Sequence, residues 1–126
     1  MKRFYFASAL LVLLLLLSLL NAYASQQLAD DLSFQLEQAQ QLAQADRWAQ
    51  ASALTRQVYE NWQAHHAYLH IFLQHADTDE IQRGFCAVQE YLALQEMDQY
   101  AAANADLIAQ IRLLAEMEQA TLVNVL

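Results

Sequence analysis

Residues 4–20 read FYFASALLVLLLLLSLL, with Lys2 and Arg3 before them and no further charge until Asp30. A helix rises about 1.5 Å per residue and the hydrocarbon core of a bilayer is about 30 Å thick, so about 20 apolar residues span it. Carried through Ala22-Tyr23-Ala24 the run reaches that length, and Tyr5 and Tyr23 fall where interfacial aromatic side chains sit. The competing reading is a secretory signal peptide. Lys2-Arg3 is then its basic start, the leucines its apolar centre, and Ala22-Tyr23-Ala24 before Ser25 a small-x-small cleavage site. The apolar centre exceeds the usual ~7–15 residues, which favours a retained anchor, while cleavage after Ala24 stays open. Either way, residues 1–24 form a transmembrane or signal segment and residues 25–126 a domain outside the cytoplasm. That domain is held on the cell membrane by a single pass, or it is secreted.

The chain has 126 residues, no proline and one glycine. After the leader there is room for one small domain with a modest core. Ala, Leu and Gln favour helix, and no alternating β-branched runs closed by glycine-rich turns are present. The expected class is all-α: the N-terminal helix continues into an antiparallel up-down bundle of four helices. Lys2 and Arg3 belong to the leader, so the domain sets 4 arginines against 14 acids. Such an acidic surface repels phosphates, which excludes nucleic acid as a partner and disfavours flat docking on anionic lipid. Cys86 is the only cysteine, so no intramolecular disulfide is possible. Its place beside Phe85 on a helix predicts a buried thiol.

The apolar residues recur three and four apart, the seam of a bundle. The first helix carries Leu28, Leu32, Leu36, Ala39, Leu42 and Ala43 and runs out of the leader without a break. Asp46 suits the N-cap of a second helix reaching about Gln74, with Trp48, Ala51, Thr55, Val58, Trp62, His65, Leu69 and Phe72 on its seam. Trp48 and Trp62 are the expected core anchors, each buried with its indole N–H satisfied. Asp77 and Glu80 form a capping box for a third helix bearing Ile81, Phe85, Val88, Leu92 and Gln95. Gly84 lies in its first turns, where it predicts close approach of a neighbouring helix. Asp98 is the expected cap of a fourth helix with Ala101, Leu107, Ile108, Ile111, Leu114, Ala115, Met117 and Leu122 inward. Short connections make successive helices antiparallel. The second helix should then outrun the first, bringing Tyr68 to Leu73 toward the membrane surface.

Candidate chemistry is sparse. His66 and His70 stand four apart on one helical face, a spacing two metal ligands use, but Ala67 replaces the glutamate that a zincin needs after its first histidine. With His75 and Asp79 they are the available metal candidates, though no metal or other cofactor is expected. His75, Asp77, Asp79, Glu118 and Asn124 should meet near the membrane-proximal end. There they form a capped corner or a cation- or pH-sensitive latch, since a nearby carboxylate raises a histidine's pKa. No glycine-rich phosphate loop and no nucleophile elbow is present, so the chain is not expected to be an enzyme.

Several of these residues carry a resemblance. Asp46-Arg47-Trp48-Ala49, Trp62, Phe72-Leu73-Gln74-His75 with Asp77, Asp79 and Ile81, Tyr91-Leu92, and Glu116-Met117-Glu118 with Thr121-Leu122 and Asn124-Val125 together resemble the bacterial domain of unknown function 4363. The resemblance covers nearly the whole chain. Its most specific parts are His75 to Ile81 and Glu118 to Asn124, and Asp77 stands where the family has glutamate. It implies a short protein with an N-terminal membrane segment and a helical remainder, and it implies no activity.

The sequence therefore predicts a membrane-tethered extracytoplasmic helical protein. Its expected role is structural or protein-interacting, with a membrane-protein partner or a second copy of itself. The alternatives are a cation- or pH-sensing binding module and a secreted helical protein.

Overall fold

The computed structural model describes the backbone of residues 1–69 and 75–125. It describes side chains there except at 21, 22, 25, 66–69, 75–77, 118, 119 and 121–125. Four helices follow one another: α1 (Lys2–Gln44), α2 (Trp48–Leu69), α3 (His75–Leu94) and α4 (Met97–Val125). No strand occurs among the described residues.

α1 runs for 43 residues, about 64 Å at the usual helical rise. Its Lys2–Leu20 portion is long and apolar enough to cross a membrane, and none of that portion is buried. The same helix becomes a bundle member from Ala29 onward, where Ala29, Leu32, Leu36, Ala39 and Ala43 are buried. Apolar segment and bundle are therefore joined by continuous helix, as the unbroken Ala/Leu/Gln composition predicts.

Two tight turns of the same kind close one end. Asp46 has φ 65° and Gln95 has φ 55°, both left-handed. Arg47 N–H donates to Leu42 C=O (2.9 Å) and Asp46 N–H to Ala43 C=O (3.0 Å). Glu96 N–H donates to Tyr91 C=O (3.1 Å) and Gln95 N–H to Leu92 C=O (3.2 Å). Each pair is the Schellman pattern, which satisfies carbonyls that a helix end leaves open. The carbonyls of Arg47 and Glu96 then accept the first bonds of α2 and α4, from Ala51 and Tyr100. Arg47 and Glu96 are thus the caps, in place of the expected Asp46 and Asp98. Asp46 closes α1 instead, and Asp98 lies in the first turn of α4. Gln95, expected on the third helix's seam, is taken up by its turn.

These turns reveal a duplication. Residues 49 apart share their environments: Ala29/Thr78, Leu32/Ile81, Leu36/Phe85, Ala39/Val88 and Ala43/Leu92 are buried pairs on α1 and α3. Ala51/Tyr100, Thr55/Asn104, Val58/Leu107 and Trp62/Ile111 are buried pairs on α2 and α4. Few of the paired residues are identical. The bundle is two helical hairpins, α1–α2 and α3–α4, and each helix packs on two neighbours around a ring closed by α1 and α4. Small residues in one hairpin answer large ones in the other, and Ala51 has Tyr100 as its counterpart.

An aromatic group fills the α2–α3 seam. Phe85 lies 5.2 Å from Tyr59 and 5.7 Å from Trp62, centroid to centroid. Trp62 is buried as expected. Trp48 is only half-buried, edge-on to Tyr100 at 6.3 Å. Its indole N–H donates to Asp46 Oδ1 at 2.9 Å. Gly84 permits the predicted close approach, and the neighbour is Leu107: a Cβ on Gly84 would stand 2.9 Å from Leu107 Cδ1.

Two further seam assignments and one cap fail. His65 is exposed and turns back to the Asn61 carbonyl at 2.8 Å. Met117 is 43 % exposed. α3 is already helical at His75, so Asp77 lies inside the helix and does not cap it. The predicted end of the second helix, 70–74, lies outside the described residues.

Candidate functional site

Register decides which residues can meet. Asn104 of α4 donates its amide to the Leu36 carbonyl and to Gln40 Oε1, both at 3.0 Å. α4 therefore runs past α1 with residue 104 level with about position 38. Gly84 against Leu107 sets the pairing of α3 with α4 and brings the backbone of His75 opposite that of Glu116. Asn124 then lies eight residues, about 12 Å, beyond the start of α3. The expected common level of His75 and Asn124 is not found, because α4 outruns α3.

Of the proposed His75, Asp77, Asp79, Glu118 and Asn124 cluster, only the side chain of Asp79 is described, and it is exposed. The side chains of His75, Asp77, Glu118 and Asn124 lie outside the described residues, as do those of His66 and His70. Among the described residues no three His, Cys, Asp or Glu side chains are grouped to hold an ion.

Asp79 lines an open trough of about 450 Å³ with Gln82, Arg83, Cys86, Ala87 and Glu90, all on one side of α3. Cys86 is exposed there, not buried. The reason is helical phase: Ile81, Phe85, Val88 and Leu92 take the inward positions, so residue 86 turns outward. Its counterpart in the first hairpin is Glu37, also exposed. The trough gathers two carboxylates, Asp79 and Glu90, and one guanidinium, Arg83, on the face of α3 that carries the thiol.

Four polar groups lie inside, three of them left unremarked by the sequence and the fourth, Thr55, expected on the α2 seam. Tyr100 and Asn104 of α4, Thr55 of α2 and Ser33 of α1 are all buried. Asn104 spends its amide hydrogens on α1, as given above. The Ser33, Thr55 and Tyr100 hydroxyls and Asn104 Oδ1 find no protein partner with hydrogen-bond geometry. Burial pushes the Tyr100 phenol up to about 12, and the neighbouring Thr55 hydroxyl offsets a little of that rise. The two hydroxyls are near enough to interact yet fall short of a formed bond. This layer lies level with the middle of the bundle part of α1. No charged group belongs to it among the described residues, and the Asn104 amide ties α4 to α1 at this level. Its sequence signal was present in the 49-residue spacing of Thr55 and Asn104.

Outside, Arg112 and Glu37 approach to 3.8 Å between α4 and α1, both about half exposed, a pair worth little in water.

The family model described as "Domain of unknown function (DUF4363)" matches residues 19–125. No curated protein and no solved structure matches the chain. The match spans most of the sequence, and the chain belongs to the DUF4363 family.

Proposed function

We propose that this DUF4363 protein is a membrane-tethered, non-enzymatic helical module, with α1 crossing the bilayer and residues 25–126 outside the cytoplasm. Its role is to hold a rigid four-helix body at the membrane surface as a structural or protein-interaction element. The observation that carries the reading is α1 itself. Its nine leucines and one valine between residues 10 and 20 find no protein cover, yet the same helix supplies one quarter of the bundle core. In a membrane each such leucine is favourable by about 0.3–0.6 kcal/mol near the centre, so the run favours insertion by several kcal/mol. Lys2 and Arg3 ahead of it support an N-terminus on the cytoplasmic side. Continuous helix from anchor to bundle supports a body that cannot swing freely on a linker.

The secreted alternative cuts α1 between Ala24 and Ser25. It leaves the buried stripe from Ala29 intact, so one experiment separates the two. The chain is expressed with its natural N-terminus, membranes are washed with alkaline carbonate, and the mass of the protein is measured. Retention in the membrane with Met1 or Lys2 at the N-terminus is expected. A chain beginning at Ser25 in the external fluid establishes the secreted form. The intact chain free in the cytosol refutes both.

A further inference from the structure

α3 and α4 meet at one turn and extend from it side by side, antiparallel in chain direction, but α3 has 20 residues and α4 has 29. Since residue 75 pairs with residue 116, residues 117–125 extend past the start of α3 by about 13 Å. Among the described residues α2 follows them only as far as about position 119. Its last residue, Leu69, is level with about position 23 of α1, counting back from the turn. Beyond that level, among the described residues, only α1 runs on beside α4.

The register of Asn104 on Leu36 and Gln40 fixes how far the overhang goes. Val125 is 21 residues beyond Asn104, and position 38 less 21 is position 17. The end of α4 is therefore level with about residue 17 of α1, just inside the Lys2–Leu20 apolar segment. The sequence changes at the same place. Every charge in α4 lies at or before Glu118, and Gln119-Ala-Thr-Leu-Val-Asn-Val125 carries none. By this count an uncharged helical segment comes level with the outer end of an apolar span, and among the described residues α1 is its one neighbour at the level of residues 120–125.

We propose that the C-terminal turns of α4, residues 119–125, lie in the membrane interface beside α1. The bundle would then be attached to lipid at two points and not by α1 alone. The partner is the lipid surface itself, reached through apolar contact rather than charge, which agrees with the acidic body of the domain. Two points of contact fix the rotation of the bundle about the α1 axis and set which of its faces looks along the membrane. The inference rests on the tether reading above.

The test uses the full chain with Cys86→Ser, reconstituted in dioleoylphosphatidylcholine vesicles. Single cysteines are placed at each position from 119 to 125, with Leu14→Cys and Gln99→Cys as references, and labelled with an environment-sensitive fluorophore. Quenching by lipids spin-labelled at shallow or deep positions is then measured. Consecutive positions cover all sides of the helix, so no assumption about its rotation is needed. Circular dichroism retains only folded variants, and seven positions leave enough for a reading. The expected result is strong deep quenching at position 14, none at position 99, and shallow quenching with loss of most emission at two or more positions from 119 to 125. Quenching at 14 with positions 119–125 resembling 99 overturns this proposal and leaves the tether standing. An unquenched position 14 overturns the tether reading and this one with it.

Discussion

Asn104 on α4 places its amide 3.0 Å from the backbone carbonyl of Leu36 on α1. This is a buried side chain bonded to main chain across 68 residues of sequence. A one-turn slip of α4 would move the amide about 5.4 Å along α1 and break both of its bonds. Apolar seam residues tolerate such a slip far better, because leucine meets leucine in either register. The bond therefore ties the level of the α4 terminus to that of the apolar segment of α1.

Asn104→Ala should lower stability by about 1–3 kcal/mol, through two lost hydrogen bonds and the space left behind. Asn104→Leu should recover the part of that loss due to the space, since a side chain of similar size refills it while the two hydrogen bonds stay lost. Denaturant unfolding of the full chain in detergent micelles measures both. Equal loss in the two variants would show that the hydrogen bonds, not volume, matter at this position.

Gly84→Ala brings two opposed effects. Helix propensity favours alanine by about 1 kcal/mol. The new methyl would stand 2.9 Å from Leu107 Cδ1, and Leu107 is fully buried and has little room to move. Overpacking costs about 1–3 kcal/mol, so the net change should be a loss of about 1 kcal/mol. In a Leu107→Ala background the sign should reverse, with Gly84→Ala stabilising. A double-mutant cycle that shows no coupling between the two sites removes the contact as the reason for the glycine.

Tyr100 should make the fold sensitive to alkali. Its phenol is pushed up to about 12, above the ordinary value near 10. The unfolded chain therefore gives up this proton first as pH rises. The stability held at neutral pH should fall between about pH 10 and 12, by roughly 2–3 kcal/mol for a shift of two units. Tyr100→Phe should remove this fall while changing neutral-pH stability little, because the hydroxyl has no formed hydrogen bond to lose. Unfolding curves at pH 8, 10 and 11.5 decide it. An unchanged alkaline slope in the phenylalanine variant places the effect elsewhere.

The inward residues of the first three helices were legible because their spacing is regular. Leu32, Leu36, Val58, Trp62, Phe85, Val88 and Leu92 fall three and four apart and are all buried. In α4 Leu107, Ile108, Ile111 and Ala115 are inward as expected, but the first inward position is Tyr100 and not Ala101. Two of its inward positions are a tyrosine and an asparagine, which do not register as apolar. Cys86 was misplaced because a cysteine next to a phenylalanine fits either side of a helix, and only packing selects the side. His65 marks the drift between a 3.5-residue seam and a 3.6-residue helix. The histidine and acid cluster was argued from loop lengths alone, and the longer α4 separates Asn124 from His75.

By itself the sequence determined the class, the apolar leader, the helical continuity of that leader with the bundle, and most of the core. All of these follow from local composition and periodicity, which act within one helix. The tertiary structure alone decided the 49-residue duplication, the left-handed turns at Asp46 and Gln95, the outward face of Cys86 and the depth to which α4 reaches. The turns follow from how each helix end closes on itself and the face of Cys86 from which side of α3 packs inward, while the depth of α4 depends on register between helices, set by contacts such as Gly84 on Leu107 and Asn104 on Leu36, which join residues far apart in the chain.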